Sequence, residues 1–500
     1  MSFVLFVTGF SFRSVDRKVR LLGSVMLTVA LVGCDIGPDY HKPQSETPQT
    51  WTTPVEKKPE TVWPSPDWWQ SFASPELNRL MAQAQSANYD LGAAAARIVQ
   101  ADAQARIAGA PLLPAISGAA SVTQEQTGPT TTNLGTGNPK YYSSTATGSA
   151  SYELDFWGKN KAGLDAAVST AISTRYDRET LALSIVGSVA ATYFQILATR
   201  DRIEVLRTNI DRSQSVLQAL RTENDVGAGS ALDVAQQETT VAGLLAQEPP
   251  LRQQLQEGID ALAILIGKPP QMVAVAGTTL EGLAEPTIAP GLPSELLTRR
   301  PDVASAEEQL IAANANIKAA RAQMFPSIDL TAQGGVVSTA LNTAFGPGGI
   351  LYALTAGVTQ PIFEGGKLEA GADVARGRYA ELEQVYGKAV VSAFGDVEDS
   401  LVSVKETAEQ VRLLQDEVDK AHHAYDIALE QLKVGTDNLL TVLTIENILF
   451  PAQDALVQAK VAHMQAIVSL FKALGGGWQR PTKPPVETPN ILQLLKNSLQ

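Results

Sequence analysis

The chain has 500 residues, with 39 Lys and Arg against 52 Asp and Glu and a net charge of −13, a balance that argues against a nucleic-acid partner. It has a single cysteine, so no disulfide can form within it, and an exported protein of this size rests on packing or on oligomerisation. The four histidines (His41, His422, His423 and His463) fall at no metal-ligand spacing, and no Gly-x-Ser-x-Gly or complete phosphate-loop motif is present, so neither an enzyme, a metal nor a cofactor is expected.

The N-terminus carries a basic stretch (Arg13, Arg17, Lys18, Arg20), the apolar run Leu21 to Val32 and then Gly33-Cys34. About 12 apolar residues are too few to cross a bilayer, so residues 1–33 read as a cleaved signal peptide. Leu31-Val32-Gly33-Cys34 resembles a bacterial lipobox, with Cys34 as the lipidated first residue of the mature chain. Residues 34–73 are rich in Pro, Gln and Thr and read as an extended tether.

Helix begins at Ser74-Pro75-Glu76, a cap followed by proline at the first helical position, and is expected to continue to about Gly109. A β-hairpin is expected over about 115–156, with Ile116 to Val122 as one strand and 145–156 as the other. The second strand alternates Ala146, Gly148, Ala150, Tyr152, Leu154 and Phe156 against Thr145, Thr147, Ser149, Ser151, Glu153 and Asp155. A long helical hairpin follows, turning at 226–234, and closes a first unit spanning 74–270. Residues 271–300 are then a linker.

The pattern then recurs over 301–475. ADAQARIAGAPLLP at 101–114 matches ANANIKAARAQMFP at 313–326, a hairpin is expected at about 327–362, and a second helical hairpin turns at 434–442. The chain is read as an internal two-fold repeat followed by a tail, 476–500, because a period of about 200 residues is too long for a solenoid unit.

Strands of about ten residues with one apolar and one polar face suit a membrane barrel. After residue 34 no continuous apolar run reaches 18 residues, so membrane crossing is expected from strands. Four strands cannot close, and open edges in lipid leave backbone groups unsatisfied at several kcal/mol each, so a homotrimer sharing twelve strands is expected.

From Gly158 to Asp225 and from Gly366 to Val434 there is no proline, which allows helices of about 100 Å. Heptad seams run through Ile203, Leu206, Ile210, Ser213, Leu217 and Leu220; through Val411, Leu414, Val418, Ala421, Tyr425, Ala428 and Leu432; and through Leu449, Ala452, Leu456, Ala459, His463, Ala466 and Leu470. Gly227 and Gly435 fall where a left-handed helix stop is needed, and Ser230 with Asp233 makes a capping-box-like restart.

Trp68-Trp69, Arg299-Arg300-Pro301-Asp302-Val303, Phe325-Pro326 and Ala473-Leu474-Gly475-Gly476-Gly477-Trp478 together resemble the outer-membrane factor (TolC-like) family, in its NodT/OprM-type lipoprotein branch. The resemblance extends from about Cys34 to Trp478. It implies an α+β membrane protein: a trimer with a twelve-stranded outer-membrane barrel continuous with a long periplasmic α-barrel, belted by residues 268–300 and by the segment after Trp478. It further implies a passive exit duct in a tripartite efflux pump, partnered by a periplasmic membrane-fusion adaptor, an inner-membrane proton-driven transporter and outer-membrane lipid. The glycine turns would be the periplasmic tips, with Val226, Gly227, Leu232, Asp233, Val434 and Gly435 in adaptor docking and Leu439, Leu440, Leu443 and Thr444 at the gate. Thr444 stands where relatives often carry an acid. A channel for type I protein secretion shares this architecture and is the alternative reading.

Overall fold

The computed structural model describes residues 36–44, 46–53, 63–126, 140–286, 291, 293–338 and 349–481. The signal segment, Cys34, part of the tether, both hairpin loops and the tail from residue 482 lie outside the described residues.

A 3₁₀ turn at Trp68–Phe72 leads into α1, Pro75–Ala87, whose cap Ser74 accepts a hydrogen bond from the Leu77 N–H at 3.2 Å. The helical stretch expected to about Gly109 is divided at Asn88 and restarts as α2, Tyr89–Gly109. Asn88 Oδ1 accepts from Asp90 and Leu91 N–H, which competes with helix continuation, and its amide is held by the Leu265 carbonyl, 177 residues away.

Strands β1, Ala115–Gln126, and β2, Lys140–Glu153, form the first hairpin; β3, Ser327–Ser338, and β4, Ile350–Thr359, form the second. The sheet order is β1-β2-β3-β4, antiparallel throughout. β1 and β2 reach further toward their shared loop than expected, because ladder hydrogen bonds belong to the backbone and continue past the end of the apolar alternation. β4 stops before Pro361, which has no N–H to give.

Each hairpin feeds a helix of 67 residues, α3 at Lys159–Asp225 and α7 at Lys367–Lys433. At 1.5 Å per residue each is about 100 Å long. The returning arms differ. α8 is one helix, Leu439–Ala473, whereas the first arm is split into α4, Ala231–Leu245, and α5, Glu248–Leu265. Pro249 and Pro250 fit only the first turn of a new helix. α6, Pro301–Ala322, precedes the second hairpin as α2 precedes the first.

The heptad seams meet inside the chain. Ile203, Leu206, Ile210, Ser213, Leu217 and Leu220 of α3 are all buried, as are Leu449, Ala452, Leu456, Ala459, His463, Ala466 and Leu470 of α8. Val418, Ala421, Tyr425 and Ala428 of α7 are buried opposite, with Val411, Leu414 and Leu432 partly so. By length and composition alone α3 and α8 could each span a membrane, but 56% of the apolar window of α3 is buried within the chain, where Val186, Val189 and Phe194 join the mid-length core, against 33% of that of α8.

The largest core lies at mid-length, where Trp68 stacks on Phe471 at 4.7 Å and Phe72 lies 4.9 Å from Phe194, with Leu77, Leu80, Met81, Val189 and Tyr193 around them. The segment 273–286 is strapped across it. Glu76 accepts from the Ala276 and Gly277 N–H groups, Asp201 from the Leu280 N–H, and Arg200 donates to the Val275 carbonyl. The Arg299–Val303 and Ala473–Trp478 motifs pack on each other: Arg300 pairs with Asp302 at 2.6 Å and Asp396 at 2.8 Å and donates to the Ala473 carbonyl, and Gly475, at φ +84°, abuts the Arg299 backbone too closely for a side chain. After Trp478, Arg480 pairs with Glu307 and Glu308 of α6, where Lys42 of the tether also binds Glu307 at 3.0 Å.

Phe194→Ala removes a fully buried ring from this core and is expected to cost about 3–5 kcal/mol of stability, read as a lowered unfolding midpoint of the purified protein. A midpoint equal to wild type would contradict the placement.

Candidate functional site

Two surfaces remain open on the monomer. The first is the sheet, where the register lines up Ile116, Ala150, Ala332 and Leu354 across all four strands, with Ala120, Ala146, Val336 and Ile350 in a parallel row. Ile116 is 83% exposed and Leu354 81%. The opposite face carries hydroxyls: Ser117 bonds Ser149 at 2.8 Å and Ser121 bonds Thr145 at 2.7 Å, with Ser151, Thr331 and Thr355 in line. Among the described residues, β1 and β4 have no partner on their outer edges. Such a sheet has one face for lipid, one for water and two edges for further strands. At its base Phe156, Trp157 and Phe325 pack together, and the Trp157 indole N–H donates to the Pro326 carbonyl at 2.8 Å.

The second surface is the pair of tips. Gly227 has φ +77° and Gly435 φ +72°. Each closes its helix with the same pair of hydrogen bonds, Gly227 N–H to Asn224 and Ala228 N–H to Glu223 in one, Gly435 N–H to Leu432 and Thr436 N–H to Gln431 in the other. This is the Schellman arrangement, which satisfies otherwise orphaned carbonyls at a helix end. The restarts are capped by Ser230, which accepts from the Leu232 N–H, and by Asn438, which accepts from the Thr441 N–H, each at 3.2 Å. The expected reciprocal bond from Asp233 is not formed among the described contacts; Asp233 sits half-buried in the first turn of α4.

Val226, Leu232 and Val434 are exposed at the tips beside the glycines. The four residues expected at the gate do not share a face. Leu440 is 65% exposed and Thr444 is exposed, its hydroxyl donating back to the Leu440 carbonyl at 2.7 Å. Leu439 is only 2% exposed, packed with Tyr425, Ala428 and Val442 in the cluster that joins all four tip helices, and Leu443 packs against the same cluster. Leu439 therefore belongs to the seam while Leu440 lies on the exposed face, because adjacent helix positions point about 100° apart. Cys34 lies outside the described residues.

One buried group was missed. Glu446 is 2% exposed, and its Oε1 accepts from Ser213 Oγ and Tyr425 OH, both at 3.4 Å, while its Oε2 meets no hydrogen-bonding group among the described residues. Burial pushes its pKa up to about 7, opposed by those two hydroxyls. Burial and the neighbouring carboxylate raise that of Tyr425. Strict alternation of 4 and 3 backward from Leu449 places Ile445 on the seam. The structure buries Leu439, Val442, Glu446, Leu449 and Ala452, with two successive steps of three, from Glu446 to Ala452, across Pro451. That stammer shifts the phase by one residue and turns Glu446 inward.

The fold and its two open surfaces define an outer-membrane channel protein, a small sheet carried on a much larger helical part. Comparison with known proteins agrees: the outer membrane efflux protein family matches residues 80–268 and 292–476, and the chain belongs to that family. It is 41% identical over 417 residues to the pyoverdine export outer membrane protein OpmQ of Pseudomonas aeruginosa, covering 82% of this chain and 87% of that protein. It is 32% identical to the toluene efflux pump outer membrane protein TtgC of Pseudomonas putida, covering 94% and 99%. Its fold matches the open-state MtrE outer membrane channel of Neisseria gonorrhoeae with a TM-score of 0.81 at 28% identity, covering 90% of this chain and all of that one. The protein is thus an efflux protein of the outer membrane.

No atom lies within 4 Å of a side chain built on Gly435, so only its backbone conformation selects glycine. Gly435→Val is expected to strain the turn by about 1–3 kcal/mol and to speed proteolytic nicking at 434–438. Gly435→Asn, which tolerates the left-handed region, should be cleaved at nearly the wild-type rate.

Proposed function

We propose that the protein works as a homotrimer in which each chain lends its four strands to one twelve-stranded barrel, and the 67-residue helices continue the barrel's lumen toward the inner membrane. The observation that carries this reading is the sheet itself. It has two free edges, one exposed apolar face and one hydroxyl-lined face, a combination that is satisfied in lipid only by closure with other copies. The trimer is a passive exit duct for small toxic or secreted compounds. Cys34 is its lipid anchor, a membrane-fusion adaptor docks on the tips, and an inner-membrane proton-driven transporter supplies the energy.

In this reading Val226, Gly227, Leu232, Asp233, Val434 and Gly435 form the docking tips, and Leu440 with Thr444 faces the pore. An exposed leucine beside a water-filled pore is favourable only when buried against symmetry mates or a partner. Leu439 and Leu443 support the gate from behind.

Identity to the pyoverdine export protein is higher than to the toluene pump protein, 41% against 32%, which favours a secreted compound of the pyoverdine class over a solvent as cargo. Deleting the gene should then lower extracellular release of such a compound while leaving toluene tolerance unchanged; the reverse result would move the cargo to solvents.

Detergent-purified mature protein is expected to have a mass near three chains, measured by light scattering; a folded monomer would remove the shared barrel. Leu440→Ser should raise single-channel conductance in planar bilayers with little change in melting temperature. Leu439→Ser should instead lower the melting temperature, since it puts a hydroxyl into a buried cluster, typically at about 2–5 kcal/mol.

A further inference from the structure

Four polar contacts join the first helical hairpin to the second along the tip half of the molecule. Arg202 binds Asp454 through two bonds at 2.6 and 3.1 Å, Asn209 donates to Gln453 at 3.0 Å, Arg212 meets His422 at 3.3 Å and Ser213 reaches Glu446 at 3.4 Å. The last lies nearest the turns on α8. Beyond it, toward the turns, the packing is apolar, made by Val216, Leu220, Leu439 and Val442. A carboxylic acid is thus placed at the last polar layer before the tip, shared between α3 and α8.

We propose that Glu446 is a proton-operated clasp between the two hairpins: protonated, it holds the tip closed, and ionised, it favours separation of α3 from α8 and opening of the duct.

The geometry supports a neutral acid while α3 and α8 are packed together. Glu446 is enclosed by Ser213 of α3, Tyr425 of α7 and the apolar seam of α8, and Gln237 of α4, itself fully buried, completes the layer by donating to the Ser213 carbonyl. Charged groups on the packed helices contact one another and not Glu446, although Arg212 keeps one buried nitrogen, Nη1, without a hydrogen-bond partner among the described residues. On α3, Arg212 lies against His422; on α7, His422 faces Asp426 at 3.0 Å; on α4, Glu238 pairs with Arg221; on α8, Asp454 is held by Arg202. No described ion pair includes Glu446, so ionising it leaves an uncompensated charge among apolar side chains unless water enters.

The direction follows from linkage. The closed tip holds the proton up to about pH 7, whereas a hydrated carboxyl releases it near its ordinary value of 4.5. The closed form therefore binds more protons between these values. It is most stable below about pH 4.5, weakens as pH rises toward 7 and levels off above. Complete hydration on opening gives up to about a 300-fold change in the closed-to-open ratio per chain over that window.

This inference rests on the reading of the tips as the gate, and the experiment separates the two. Full-length wild type, Glu446→Gln, Tyr425→Phe and Leu440→Ser would be recorded in planar bilayers from pH 5 to 8, with melting curves of the same proteins in detergent. The expected result is at least a tenfold rise in wild-type open probability from pH 5 to 7.5, a flat and closed profile for Glu446→Gln, and a midpoint moved to higher pH in Tyr425→Phe, which loses a bond favouring the carboxylate. The melting temperature of wild type should fall relative to that of Glu446→Gln across the same range. Identical pH profiles for wild type and Glu446→Gln would overturn the clasp, since the two proteins differ only at that carboxyl group. If their melting curves diverge with pH while open probability does not, the clasp as a gate control is also overturned. An unchanged conductance in Leu440→Ser would sink the tip-gate reading by itself.

Discussion

Backbone hydrogen bonding in lipid is the constraint on which the rest of this structure depends. Each strand of the four-stranded sheet satisfies its neighbours, yet β1 and β4 each leave one edge open, and hydrocarbon offers nothing to pair with a bare N–H or C=O. The apolar row of Ile116, Ala150, Ala332 and Leu354 lies on one face, and the Ser117–Ser149 and Ser121–Thr145 pairs lie on the other. The proposed sharing of strands among copies answers that constraint.

Below the sheet the demand is reversed. The helices lie in water and need only one buried stripe each, so their seams are thin and rich in Ala, Ser and other small or polar residues. Thin seams make a shallow layer and not a solid bundle, so two 67-residue helices and their returning arms have little core between them. The mid-length cluster around Trp68, Phe72, Phe194 and Phe471 supplies that core, and the strap at 273–286, the tether through Lys42 and the segment through Arg480 bind around it. The motifs at Arg299–Val303 and Ala473–Trp478 are part of this belt: the Arg300 pairs and the Gly475 approach are structural contacts, far from the tips.

At the tips, local and long-range forces divide the work. Gly227 and Gly435 stop their helices by backbone geometry alone, and Ser230 and Asn438 restart them. What holds the two hairpins side by side is tertiary: an apolar cluster of Leu220, Leu439 and Val442 and the layer of Ser213, Gln237, Tyr425 and Glu446. A cluster with one buried acid is more easily loosened than one without, which is the physical basis for placing a control point there.

By itself the sequence determined the two hairpins, the long unbroken helices, their seams and the two glycine turns, because each depends on short-range periodicity or on a single residue's backbone preference. Ser74-Pro75, Gly227, Gly435 and the run from Ile203 to Leu220 all lie where local rules put them. The tertiary structure decided matters that periodicity does not encode. Asn88 divides the first helix because its amide finds the Leu265 carbonyl, 177 residues away. Leu439 and Leu440, adjacent and chemically identical, part company because only one meets Tyr425 and Val442. Glu446 turns inward because the seam slips by one residue between Glu446 and Ala452, a change of phase that a strict heptad hides and that only packing against Ser213 and Tyr425 reveals.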